Sequence, residues 1–144
     1  MEIEENPDQS GGEDVTKFKV IRRMVFNSDR KRMSVLLTDP NDGKIKLYVK
    51  GADSIIMARI DKNNLSEKQL SDTNDFLNTA SKQGLRTLLM AMRIVDSKEA
   101  EEFIKKCEEA ERDIKNSEAK LDDIYDKFEQ NFTLLGATAV EDRL

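Results

Sequence analysis

The sequence predicts a mixed α+β domain in which an antiparallel sheet is flanked by helices. Three observations predict it. Apolar residues alternate with period two from Phe18 to Val49, they recur at helical spacing over 65–80 and 100–128, and clusters of Asn, Asp, Gly and Pro separate the segments. With 144 residues, 38% apolar and 37% charged, the chain suits one domain with a modest core.

The elements follow in order. Residues 1–16 carry Glu2, Glu4, Glu5, Asp8, Glu13 and Asp14 around Asn6-Pro7 and Gly11-Gly12, with almost nothing apolar to bury, and read as an acidic disordered leader or linker. From there the parity of Phe18, Val20, Met24 and Phe26 predicts one strand, and Met33, Val35 and Leu37 a second. The turn Asn27-Ser28-Asp29 joins them, since these side chains hydrogen-bond locally. Asp39-Pro40-Asn41-Asp42-Gly43 is a further turn, and Ile45, Leu47 and Val49 form a third strand antiparallel to the second. Past Lys50-Gly51, Asp53 caps a short helix running to about Ile60. Ser66 with Gln69 spells a capping box, Leu65 and Leu70 sit at staple positions and Gly84 closes that helix, whose buried stripe is Leu70, Thr73, Leu77 and Ala80.

Residues 85–95 are almost continuously apolar and read as a central strand covered on both faces. Helical spacing returns in Ala100, Phe103, Ile104, Cys107, Ala110 and Ile114, then in Leu121, Ile124, Tyr125 and Phe128; one long helix or two broken near Asn116-Ser117 both fit. A last strand covers 132–139.

Composition excludes several chemistries. The absence of His removes His-based triads, His acid/base catalysis and His-containing metal sites. Cys107 is the one cysteine, so no disulfide forms, a reducing compartment fits, and its apolar neighbours read as a core thiol. A net charge of -5 argues against nucleic acid as the main partner. No apolar run reaches the length of a membrane span, so direct membrane insertion of this segment is not expected.

Four places invite a functional reading. Phe26, beside a polar turn, either packs in the core or stacks on a base, a contact worth roughly 1–3 kcal/mol. Arg30, Lys31 and Arg32 are either a solvated turn or donors to phosphate oxygens. Lys50 is a strand-end charge, but Gly51 beside it lets a ligand approach the backbone and the next helix start offers free N–H groups. Arg86, near the start of an apolar strand, needs an anionic partner, a carboxylate or a phosphate. No GxxxxGK[ST] or GxGxxG is present, and Glu108-Glu109 and Asp122-Asp123 read as solvated helix faces. Neither a metal ligand nor a catalytic residue is expected.

Taken together, Phe26-Asn27-Ser28-Asp29-Arg30-Lys31-Arg32-Met33-Ser34-Val35, Lys50-Gly51-Ala52-Asp53, Gly84-Leu85-Arg86-Thr87-Leu88 and Leu134-Leu135-Gly136-Ala137-Thr138-Ala139-Val140-Glu141-Asp142 resemble the nucleotide-binding domain of P-type ATPases, most closely the phospholipid-translocating flippases. The resemblance spans about Phe18 to Leu144. It implies an ATP-binding module, cytoplasmic in an integral membrane pump, that presents ATP to an aspartate in a separate phosphorylation domain. It implies that Phe26 stacks on adenine, Ser28 and Lys31 lie beside the nucleotide, Lys50 lines the adenine pocket and Arg86 meets the phosphates. Mg belongs to the parent enzyme.

The family's DKTGT, TGD and GDGxND segments, its membrane helices and its upstream Ser-Pro-Asp-Glu-Ala-Ala block are not found. The resemblance therefore implies an incomplete domain over 17–134, a hinge toward the phosphorylation domain over 135–144, weak nucleotide binding, no catalysis alone, and an exposed strand edge. Two other readings remain: a non-catalytic interaction protein docking through its acidic helices, with a vestigial nucleotide site, and a cation-transporting P-type ATPase.

Overall fold

The computed structural model describes residues 18–141; the acidic leader expected over 1–16 lies outside them. Strands β1 (Lys19–Met24), β2 (Arg32–Thr38) and β3 (Ile45–Gly51) come first. Helix α1 (Asp53–Met57), a single 3-10 turn (Lys62–Asn64) and helix α2 (Glu67–Lys82) lead to β4 (Arg86–Val95). Helices α3 (Ser97–Glu111) and α4 (Ser117–Phe128) precede β5 (Thr133–Val140). The five strands pair antiparallel in sequence order, giving the mixed α+β architecture that the period changes predict.

The register divides the sheet into two faces. Met24, Ser34, Val49, Ala91 and Leu134 lie in one row, with Leu36 and Leu47 in the next, and this face meets Ile56, Phe103, Cys107, Tyr125, Phe128 and Phe132 in the core. In β3 the alternation is thus burial against helices on one side, whereas β2 is buried on both faces, with Val35 and Leu37 on the second. Phe103 and Phe128 stack with ring centroids 3.7 Å apart, and the Arg93 guanidinium lies 4.7 Å from the Phe128 centroid, which closes α3 and α4 over the sheet. Cys107 is fully buried there, and burial pushes its thiol up to about 11, so it stays protonated and inert.

Several local expectations are corrected. A bulge between Val20 and Arg22 flips the parity of β1, so Val20 pairs with Leu37 on the second face while Met24 points into the core, and the strand stops before Phe26. Strand β4 is not central: β3 takes the middle of the meander, and β4 is buried on the helix-facing side at Leu89 and Ala91 while Ile94 is exposed. Asp53 does not cap α1; Ala52 takes that position without a side-chain bond, and Asp53 instead accepts from the Thr87 hydroxyl at 2.8 Å.

Ser66 caps α2 through Gln69 N–H at 3.0 Å, but the Gln69 side chain donates to the Leu134 carbonyl instead of reciprocating. Gly84, at φ +74°, ends α2 with the paired bonds Leu85 N–H to Ala80 C=O and Gly84 N–H to Ser81 C=O, both 3.0 Å. The long helical pattern resolves into two helices, and Ile114 sits 94% exposed in the connection between them, where Asp113 accepts from Lys115 and Asn116 N–H groups. No helix among the described residues is long and apolar enough to cross a membrane.

Gly51 faces the start of β2 so closely that a Cβ would lie 2.5 Å from the Lys31 carbonyl oxygen and 2.6 Å from the Arg32 Cβ. Gly136 in β5 has nothing within 4 Å of that position. Gly51→Ala is therefore expected to destabilise by about 1–3 kcal/mol through overpacking against backbone, whereas Gly136→Ala is neutral or stabilising by about 0.5 kcal/mol. Urea midpoints of the two variants check this, and equal midpoints would contradict it.

Candidate functional site

Strand ends gather at one end of the sheet: β1 finishes at Met24, β2 begins at Arg32, β3 finishes at Gly51 and β4 begins at Arg86. Arg32, Gly51 and Leu89 share a row of the register there. Residues 25–31 connect β1 to β2 across this end, and Asn27 organises them. Its side-chain oxygen accepts from Asp29 N–H at 3.0 Å and Arg30 N–H at 2.7 Å, and its carbonyl accepts from Lys31 N–H at 2.8 Å. Lys31 then takes a left-handed conformation, φ 54°, which costs about 1–2 kcal/mol outside glycine. Its carbonyl accepts from Ala52 N–H at 3.1 Å, which ties the turn to the Lys50-Gly51-Ala52-Asp53 segment.

Glu129, just past α4, holds the turn from beneath. It is 0% exposed. Its carboxylate accepts a two-pronged bond from Arg30 at 2.7 and 2.9 Å, one from Arg32 Nε at 3.0 Å and one from the Ser34 hydroxyl. Arg30 also donates to the Val25 carbonyl at 3.3 Å and lies 5.1 Å from the centroid of the Tyr125 ring, whose hydroxyl accepts from Arg22 at 2.7 Å. Arg32 donates to the Arg30 carbonyl at 2.9 Å and pairs with Asp126 at 3.1 Å; Asp126 is shared with Arg59. The low dielectric and the full set of donors make this a fork–fork network of the kind that replaces lost hydration.

This geometry corrects the reading of the basic run. Arg30 and Arg32 are 3% and 4% exposed and spend their donors on Glu129, so they do not face outward toward phosphate. Lys31, between them, is exposed. Gly51 likewise makes room for the neighbouring strand, not for a ligand. Phe26 lies outside the core, 59% exposed, and Ser28 is exposed on the same turn.

Lys50 is half-buried on the second sheet face, paired with Met33 and Met90. Arg86 shares its parity four residues along β4 and so sits roughly 13 Å farther along that face. It is exposed, so burial does not force an anionic partner on its guanidinium. Phe26, Ser28 and Lys31 thus share one turn, Lys50 lies beside its base, and Arg86 is the outlying member.

Glu129 escaped sequence reading because a Glu after a charged helix looks solvated. A signal existed: it follows Leu121 and Tyr125 at spacings of four, on the stripe that α4 buries.

The family model for the P-type ATPase cytoplasmic domain N matches residues 9–144. The chain belongs to this family. It is 41% identical over 128 residues to probable phospholipid-transporting ATPase 12 of Arabidopsis thaliana, covering 88% of this chain and 11% of that protein. It is 42% identical over 139 residues to phospholipid-transporting ATPase 10 of the same plant, covering 95% and 11%. Phospholipid-transporting ATPase IC of Homo sapiens is 39% identical over 127 residues, covering 88% and 10%. This N-domain chain spans about a tenth of the length of the curated relatives it matches.

Acid is expected to destabilise the N domain through its paired carboxylates. The Arg59 hydrogen bond holds the Asp126 carboxyl below its usual range, and the Lys120 and Lys46 ammonium groups do the same for Asp113 and Asp39. A carboxyl depressed by folding adds stability above its unfolded pKa, near 3.9, and loses it as pH falls through the folded value. The urea midpoint is expected to stay level from pH 7 to about 5 and to drop below about 4, with a shallower drop in Asp126→Asn. A midpoint that rises on acidification would show the sign to be wrong.

Proposed function

We propose that this N domain holds ATP for a phospholipid-transporting P-type ATPase, in the cytoplasm of the cell and outside the membrane-spanning part of the pump. The observation that carries the reading is the exposed Phe26 ring on a turn that also presents Val25, Ser28, Asp29 and Lys31 outward, with Lys50 at its base. An aromatic ring 59% exposed on a turn held by the Asn27 hydrogen bonds has a free face for stacking. The names of the relatives supply the transported class, a phospholipid.

In this reading Phe26 stacks on adenine, and the Lys50 stem and ammonium line the base pocket beside Met33 and Met90. Ser28 and Lys31 flank the nucleotide from the turn. Arg86, roughly 13 Å along the sheet from the Lys50 row, binds the phosphate end, so the two cations mark the length of an extended nucleotide. ATP would supply the phosphoryl group that a separate domain accepts on an aspartate. The residues of this chain bind and orient; none of them attacks, and Mg is left to the parent enzyme. In this reading the segment 135–144, whose part in β5 pairs with β4 through Val140, leads toward the phosphorylation domain.

One stacked base and a few partly solvated cations give roughly 4–5 kcal/mol, a Kd near the millimolar range. In an NMR titration of the full 144-residue chain, ATP is expected to shift Phe26, Lys31, Lys50 and Arg86 with such a Kd. Lys50→Ala and Arg86→Ala each weaken binding by about 1.4- to fivefold, the scale of an exposed ion pair of roughly 0.2–1 kcal/mol. If ATP at about ten times that Kd moves none of these signals, the N domain does not hold nucleotide here.

A further inference from the structure

We propose that Glu129 is the positioning residue of the base-binding turn, a role that rests on the nucleotide reading above. Glu129 is fully buried and touches no open surface, so it acts only through what it holds. The chain of contacts is short. Its carboxylate takes both prongs of Arg30, and Arg30 in turn donates to the carbonyl of Val25, the residue that precedes Phe26.

The same carboxylate takes Arg32 Nε. With Arg30 and Arg32 both drawn inward to one point, Lys31 between them is turned outward, in the left-handed conformation it would not choose alone. The exposed ring and the exposed ammonium thus depend on one internal anion, supplied by a segment almost a hundred residues later in the chain. A turn without that anion would keep its Asn27 cap but lose the contact that fixes Val25, and Phe26 would sample many orientations before a base arrives. Stacking affinity falls when the ring must first be ordered.

Glu129→Asp keeps the charge and shortens the reach, and Arg30→Lys keeps the charge and removes the fork. With α3 amide signals unchanged as the check of folding, each variant is expected to bind ATP at least fivefold more weakly and to lose the ATP-induced shift of the Phe26 ring protons. Inorganic tripolyphosphate should still shift Arg86 as in the unsubstituted chain, a split that general loosening would not give. ATP binding within twofold of the unsubstituted chain in either folded variant overturns the role of Glu129 while leaving the nucleotide reading intact. An unsubstituted chain that ignores ATP sinks the nucleotide reading itself.

Should both variants fail to fold, hydrogen exchange in the unsubstituted chain decides. Arg30 and Lys31 amides are expected to be at least tenfold protected and to open in step with the Glu129 amide. Exchange of Arg30 and Lys31 at unprotected rates overturns the proposal.

Discussion

A single buried carboxylate organises the end of the sheet where β1 leads into β2. Glu129 stands at the junction of α4 with the approach to β5, and through Arg30, Arg32 and Ser34 it joins that junction to the start of β2. Taking a carboxylate out of water costs several kcal/mol, and removing one partner of such a buried pair typically costs about 3–5 kcal/mol. The arrangement is tolerable because every donor around it is directed: two prongs from one guanidinium, one Nε–H from another, and one hydroxyl. Its consequence is topological. The first hairpin and the last helix, far apart in sequence, cannot move independently at this end of the sheet.

The surrounding cations repeat the theme on a smaller scale. Arg22 bonds the Tyr125 hydroxyl and Glu111, Arg59 bonds Asp126, and Arg93 bonds Glu99 and the Phe128 carbonyl. Each fastens a helix to a strand or to the segment after α1, on the face where the apolar core is also packed. These three arginines hold the layers together, since a planar fork can satisfy a carboxylate and lie over a ring at once, while Lys31 and Arg86 stay exposed and Lys50 half-buried.

Periodicity was enough to read the meander of the first three strands, the capped start and glycine end of α2, and the apolar stripes of α3 and α4, because each of these is a local pattern repeated over several turns. Three things were not local. The bulge in β1 shifts parity at Ile21 without any sequence mark, so Val20 and Met24 face opposite sides of the sheet although they share parity in sequence, and β1 ends at Met24, which leaves Phe26 in the loop. The apolar length of β4 suggested burial on both faces, but Met90 and Met92 are only partly buried and Ile94 is open. The basic run 30–32 read as one class of residue, and the fold splits it by alternation, Arg30 and Arg32 inward and Lys31 outward, because the partner that draws two of them in is distant in sequence.

This split separates what the fold needs from what a ligand would use. The turn is fixed by bonds that the Asn27 side-chain oxygen and carbonyl accept, by the bond that Ala52 N–H donates to the Lys31 carbonyl, by the close approach at Gly51 and by the inward arginines. None of these depends on the side chains of Phe26, Ser28 or Lys31, which point away from the network. A site built this way can vary its contact residues at little cost to folding, while the residues that shape it are intolerant of change although no ligand touches them. If the domain holds a nucleotide with the modest affinity proposed above, a ring already presented and an ammonium already turned outward would need no ordering on binding, so little of the binding energy would be spent on arranging the protein.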